Sequence, residues 1–313
     1  MKIGSSSGSR AVTLGTVLLL IALTASCSTG ERAADGASAQ SANNQVSNAP
    51  SRVPETGLAK GLALPLEAYM LDYSDGIQIE RGQQRLAVAC MARLGFSYAP
   101  PQPGLHPPAS ANDSNMPRRY GITDRQEAQK WGYHVPPRGA QDAPSSTPMS
   151  KAEHEALTGS PDAPRPGASP GGGKNGIPKG GCMGEARRKL DADFTNTMAD
   201  RLNKESFDKT LQDPAVKAVE KRWSACMKDK GYTAGDPYDV TDVNKPAAGP
   251  TPSKKEIAVA LADIDCKDST GLVGKMFAVE TQIQRGLIED NQLALNSERK
   301  KISAALRASA DVT

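Results

Sequence analysis

Histidine and the aromatics are scarce in this chain: 3 His, 2 Trp, 4 Phe and 7 Tyr among 313 residues. So few aromatic faces leave little on which sugars or nucleic-acid bases could stack. Charge of one sign is missing too. The formal charge is +3, and without Lys2 and Arg10, which fall in a removable leader, the 38 basic residues become 36 against 35 acidic, about +1. Scattered, balanced charge offers no electrostatic footprint for nucleic acid, so no such partner is expected. No CxxC occurs, and no histidine lies near any of the five cysteines, so zinc-type spacings are absent and neither metal nor cofactor is expected. Period-two alternation bounded by turns is missing as well; Ile77 to Glu80 comes nearest, inside a helical pattern.

Long apolar runs are limited to one. Lys2 and Arg10 precede "VTLGTVLLLIALTA", which is too short for a comfortable membrane span and has the length of a signal-peptide core. It ends at "LTASC", where the small residues Ala25 and Ser26 stand before Cys27 as in a lipobox, although Thr24 occupies the position where leucine is commonest. Cys27 is therefore the candidate lipidation site, with ordinary secretion as the rival; several acyl chains on one cysteine anchor far better than one. Residues 1–26 are the signal peptide. Residues 27–60 read as a disordered tether with almost nothing to bury, spanning roughly 30 Å as a soft chain.

What is present in quantity is helical pattern broken by 29 Gly and 23 Pro. The phrase "CMARLGF" at Cys90 returns as "CMKDKGY" at Cys226. Ile79, Leu86, Cys90 and Leu94 share a helical face before the first copy. Val216, Val219, Trp223 and Cys226 do so before the second, where Asp213 caps and Pro214 takes the first position. Each copy then stops at a glycine, Gly95 or Gly231, the residue that accepts the left-handed conformation of a helix end. The expected hydrophobic clasps are Met91 with Phe96 and Met227 with Tyr232. Further starts are read at Ser150 with Glu153, Thr123 with Gln126, and Ser253 with Glu256. Ile257, Leu261 and Ile264 form a stripe. From Gly271 to Ala308 no proline interrupts Met276, Val279, Ile283, Leu287, Ile302 and Leu306, which predicts one long helix. Asn291 and Glu298 break its stripe, so the last turns are expected to pack poorly or to carry a partner.

Cys90, Cys182, Cys226 and Cys266 form an even set in an exported chain, where disulfides persist. Three pairings are possible. Cys90–Cys182 and Cys226–Cys266 are favoured because each repeated phrase then gains one downstream partner. Closing loops of about 90 and 40 residues contributes roughly 4 kcal/mol each in the chain-entropy picture. Residues 98–118 and 135–180 are rich in Pro, Gly and Ser and are expected to be mobile outside one short helix. The fold class is mainly α: a disulfide-stapled helical body with long Pro/Gly-rich loops. Residues 61–185 form a helical segment with Pro/Gly-rich insertions, and 186–313 a helical hairpin with a long C-terminal helix.

Chemical motifs fail on inspection. "HEALT" from His154 has Thr158 where a zinc-protease helix needs its second histidine. "GSSSG" at Gly4 lies in the leader, "SERK" at Ser297 lacks the companion motifs of a serine–lysine enzyme, and "GGGKNG" at Gly171 lacks the spacing of a phosphate loop. His106 sits among prolines, and His134 beside Trp131 and Tyr133 reads as part of an aromatic cluster. Acidic pairs such as those at Asp191 and Asp263 read as solvated helix faces. No catalytic residue is assigned.

The blocks "LALPLEAYMLD", "LAVACMARLGFSY", "RYGITDRQEAQKWGYHVP", "GGCMGEARRKL", "RWSACMKDKGY" and "SKKEIAVALADIDCKDSTGLVGKMFAVE" occur in order over about residues 60–300. Together they resemble a group of uncharacterised secreted lipoproteins of actinobacteria. The resemblance implies a high-GC Gram-positive source and a place on the outer face of the membrane, and brings no catalytic residues. The resulting expectation is a lipid-anchored, non-enzymatic lipoprotein that binds an envelope protein or a wall component. The alternatives are a solute-binding lipoprotein of a transporter, built from alternating strands and helices, and a secreted hydrolase.

Overall fold

The computed structural model describes residues 49–105, 107–136, 149–159, 176–240, 249 and 251–312. Cys27, the signal segment, most of the tether, His106 and parts of the Pro/Gly-rich loops lie outside the described residues. Among the described residues there are eight α-helices and no strand. A 3-10 turn at Pro65–Tyr69 leads into α1 (Tyr73–Arg93), α2 (Arg125–Trp131), α3 (Lys151–Thr158) and α4 (Gly181–Leu190). After these come α5 (Met198–Gln212), α6 (Pro214–Asp229), α7 (Lys254–Thr270) and α8 (Leu272–Ala310).

Capping residues set most of the starts. Ser150 and Glu153 exchange hydrogen bonds at the head of α3, as their spacing predicts, and Thr197 with Asp200 does the same for α5. Asp213 accepts from the N–H groups of Ala215 and Val216 at the head of α6. At α2 the cap is Asp124 rather than Thr123: its carboxylate accepts from Gln126 and Glu127 at 2.7 and 2.9 Å, while the Thr123 hydroxyl donates to the Pro117 carbonyl. A full negative charge suits the positive end of a helix better than a hydroxyl does. At α7 Ser253 accepts from Glu256 N–H at 3.1 Å, but the Glu256 carboxylate is engaged elsewhere, so the reciprocal half of the expected box is missing.

Both repeated phrases end helices in the same way. Phe96 N–H donates to the Met91 carbonyl at 2.9 Å and Gly95 N–H to Ala92 at 3.0 Å; Tyr232 to Met227 and Gly231 to Lys228 repeat the pattern at 2.9 Å each. These are the paired bonds of a left-handed helix terminus, and the glycines carry φ of 85° and 87°. Met91 and Met227 are fully buried, with Phe96 and Tyr232 packed against their respective clusters. One turn earlier stand the cysteines. Cys90 bonds to Cys182 and Cys226 to Cys266, with Cα atoms 5.6 and 5.7 Å apart. The first bond sits among Ala87, Met91, Ala156 and Leu157, joining α1 to α4 beside α3. The second joins α6 to α7 at the edge of the largest cluster, around Trp223, Val216, Val219, Tyr120 and Met276.

Helix α8 runs for 39 residues and touches α1, α4, α5, α6, α7 and the 3-10 turn. Residues 61–185 and 186–313 meet along it: Leu66 and Met70 pack with Leu287 and Leu295, and Ile79 with Ala305. The residues that break its stripe have structural tasks. Asn291 leaves helical geometry and donates to the Leu287 carbonyl at 2.8 Å, so the helix kinks there. The Glu298 carboxylate accepts the Met198 N–H at 2.9 Å, capping α5 from outside its own chain segment. Contrary to expectation, the last turns of α8 are well packed: Ile302, Ala305 and Ser309 are buried, the last two against α1. Gly82 permits this approach: a Cβ there would fall 2.8 Å from that of Ser309. Arg85 and Gln78 add bonds to the Ser309 and Leu306 carbonyls at 2.7 and 2.9 Å.

Space around Gly231 is open, so a methyl group meets only backbone strain. Gly231→Ala is expected to cost about 1 kcal/mol in an equilibrium denaturant melt, and no loss would contradict the helix end described. The Cys226→Ser, Cys266→Ser double variant is expected to melt at a lower temperature than the Cys90→Ser, Cys182→Ser one, because it opens the largest cluster; the reverse order would place the core elsewhere.

Candidate functional site

The polar side chains of greatest interest lie inside the body. On α7, Glu256, Asp263 and Lys267 recur at intervals of seven and four and share one face, 4%, 0% and 1% exposed. Asp263 was expected on a solvated face, and the structure corrects this. Val259, Ala260, Ile264 and Cys266 around it are buried, and protein groups replace its water. Trp223 Nε1 donates to Oδ1 at 2.9 Å, while Tyr133 Oη and Lys267 Nζ donate to Oδ2 at 3.3 and 3.0 Å. Lys267 also donates to the Ile122 carbonyl at 3.0 Å. Burial pushes the Asp263 carboxyl up and the Lys267 ammonium down, and each partner's charge works against that shift in the other. Burial and the nearby Asp263 raise the Tyr133 phenol far above its usual range, so it remains a neutral donor.

The neighbouring turn is polar as well. Glu256 Oε1 accepts the Tyr133 N–H at 2.9 Å and lies 2.8 Å from His134 Nδ1; His134 Nε2 lies 3.0 Å from the Gly249 carbonyl oxygen. His134 thus bridges polar groups, where its sequence setting suggested aromatic packing. Arg118 holds the same turn from the other side, donating to the carbonyls of Tyr133 and His134 at 2.9 and 2.8 Å.

A second network centres on Glu280, fully buried on α8. Arg119 donates through Nε to Oε2 at 2.9 Å and through Nη2 to Oε1; Tyr120 Oη and Ser206 Oγ add bonds at 2.8 and 2.9 Å. The remaining Arg119 donors reach the carbonyls of Ser114 and Asn203 at 2.9 and 3.0 Å. The guanidinium lies 5.1 Å from the Phe207 ring centroid, close enough for a cation–π contact. Gln284, one turn after Glu280, donates to Ser206 Oγ and accepts the Leu66 N–H, both at 2.9 Å. Charged donors and acceptors saturated this way hold elements in register; their chemistry is that of a lock.

None of these networks was assigned from sequence. Glu280 and Gln284 occupy the centre of the buried α8 face, while the apolar stripe at Val279 and Ile283 runs beside them, half-buried. Lys267 could have been found from its place four residues after Asp263 on a face flanked by Val259, Ala260 and Ile264. Of the motifs considered, His154 lies on α3 near the Thr158 hydroxyl, and Ser297 and Lys300 are exposed on α8. Residues 171–175 of "GGGKNG" lie outside the described residues. Among the described residues no group of three or more His, Cys, Asp or Glu is arranged to hold a metal ion. On the surface, a groove of about 640 Å³ runs between α1, at Arg81, Arg85, Val88 and Ala92, and the strip Pro100–Pro103.

Lys267→Met would leave the Asp263 carboxylate buried without its cation. That change is expected to cost roughly 3–5 kcal/mol by denaturant melt, with Asp263→Leu added to it restoring much of the loss. A Lys267→Met protein within about 1 kcal/mol of the parent would mean that the pair carries no buried charge.

Comparison with family models, curated proteins and solved structures finds no match to this chain.

Proposed function

We propose that this chain is a lipid-anchored lipoprotein on the outer face of the cytoplasmic membrane, whose helical body is a non-enzymatic module that binds an envelope protein or a wall component. The observation that carries the proposal is the pair of disulfides, since such bonds persist in oxidising, extracytoplasmic settings. The apolar run ending at "LTASC" supplies the anchor at Cys27, and the polar residues after it supply a spacer. The ordered block resemblance to secreted actinobacterial lipoproteins supports the same assignment. Among the described residues no helix is long and apolar enough to cross a membrane, and in this proposal the lipid on Cys27 provides the attachment.

The binding role is supported by how the charged side chains are used. Arg119, Glu280, Asp263 and Lys267 are committed to one another inside the body, as suits a scaffold that presents a surface. The solute-binding alternative rests on alternating strands and helices, whereas the described residues form helices alone.

Fractionation with labelled fatty acid tests the anchor. The parent protein is expected in the membrane fraction carrying label, and Cys27→Ala is expected to lose both. A Cys27→Ala protein that stays with the membrane as before, together with an unlabelled parent, would overturn the lipoprotein assignment.

A further inference from the structure

His134 has a hydrogen-bond acceptor in front of each ring nitrogen. Nδ1 is 2.8 Å from Glu256 Oε1, and Nε2 is 3.0 Å from the Gly249 carbonyl oxygen. A neutral imidazole carries one N–H and can satisfy one of the two, whereas the imidazolium donates to both. Glu256 is itself buried, at the first turn of α7, and its Oε1 also accepts the Tyr133 N–H. A carboxylate drawn out of water is poorly screened and favours a cation beside it. We infer that His134 is a pH-operated clip: as an imidazolium it fastens Gly249 and the start of α7 to the end of α2, and as the pH rises it releases Gly249.

The surrounding charges bear on this balance. The stretch before α2 contributes Arg118, whose guanidinium binds the Tyr133 and His134 carbonyls and opposes a second positive charge. Glu127 of α2 acts on Arg118 in turn, and Lys130 lies exposed on the same helix. From α7 come Glu256, in direct contact, and the exposed Lys254 and Lys255; Asp263, two turns on, is neutralised by Lys267. The Tyr133 phenol stays neutral. Direct contact with Glu256 prevails: it raises the His134 imidazole above its ordinary 6.5, against the cost of desolvation and with help from the Gly249 carbonyl.

The direction of the pH effect follows from linkage. The folded protein holds the His134 proton more tightly than the unfolded chain does. The clip's stabilisation is therefore complete below the unfolded imidazole's midpoint and is lost as the pH rises through the folded one. The junction of α2 and α7 is tightest in acid. This holds wherever the chain is anchored, so it stands apart from the functional proposal above.

NMR of the full chain with isotope-labelled histidine and carbonyl-labelled glycine, titrated from about pH 5 to about pH 9, tests the clip, with H134Q assigning the histidine resonance. The expected result is a His134 midpoint above about 6.5, both ring nitrogens protonated in acid, and a Gly249 carbonyl resonance that moves with the same midpoint. E256Q is expected to draw the midpoint down. The parent is expected to lose stability relative to H134Q as the pH rises through the midpoint. If E256Q fails to fold, the parent's titration decides alone. A midpoint at or below that of the same histidine in denaturant, a neutral ring in acid, or a Gly249 resonance that ignores His134 overturns the clip.

Discussion

Glu280 sits on the longest helix with no exposure to solvent, and a carboxylate there has to be neutralised where it stands. Removing an ion from water costs several kcal/mol even after the protein relaxes, and only close, well-directed donors recover that loss. Arg119 supplies two nitrogens, and Tyr120 and Ser206 supply hydroxyls. Those donors come from the stretch before α2 and from α5, while Gln284 carries the same network to the backbone of the 3-10 turn. Apolar contact alone tolerates sliding by a turn or a rotation of a helix. Four donors converging on one carboxylate do not, so the register of α5 and α8 is set here.

Covalent staples work at a different level. Each disulfide stands one turn before a helix end whose glycine and clasp are repeated almost letter for letter, and each ties that end to a helix later in the chain. The termini of α1 and α6 are thereby held at the places where helices fray most easily. Between them the staples restrain both parts of the chain that flank α8. The hydrogen-bonded locks then specify how those restrained parts meet.

This division explains what could be read from sequence. Helix ends depend on local chemistry, a glycine, a proline, or a capping side chain three positions from its partner, and these were visible at Gly95, Gly231, Ser150 and Asp213. The two cysteine pairs followed from the repetition. Asp124 was missed in favour of Thr123 because both residues can cap, and the choice depends on the hydroxyl finding Pro117 in the folded chain. The buried charges were invisible for a deeper reason. Periodicity treats Glu280 and Asp263 as surface residues, since donors that make their burial tolerable are distant: Arg119 is 161 positions from Glu280 and Tyr133 is 130 from Asp263. No local window contains both members of either contact; the Asp263–Lys267 pair, four residues apart, is the exception.

Tyr133 shows how closely these distant pairs are joined. Its backbone N–H binds Glu256, and its phenol binds Asp263 two turns further along α7, so one residue touches both the His134 contact and the sealed Asp263–Lys267 pair. Arg118 fixes the carbonyls of the same short turn. A displacement of the turn would have to strain bonds to a carboxylate with no access to water, which makes the turn resistant to small disturbances. Only one contact in this set reaches a group outside the locked elements, the bond from His134 Nε2 to Gly249. That bond is also the one that needs a second proton on the ring. Sensitivity to pH is thus confined to the rim of the junction, while its interior, where loss of charge would be costly, is shielded by burial.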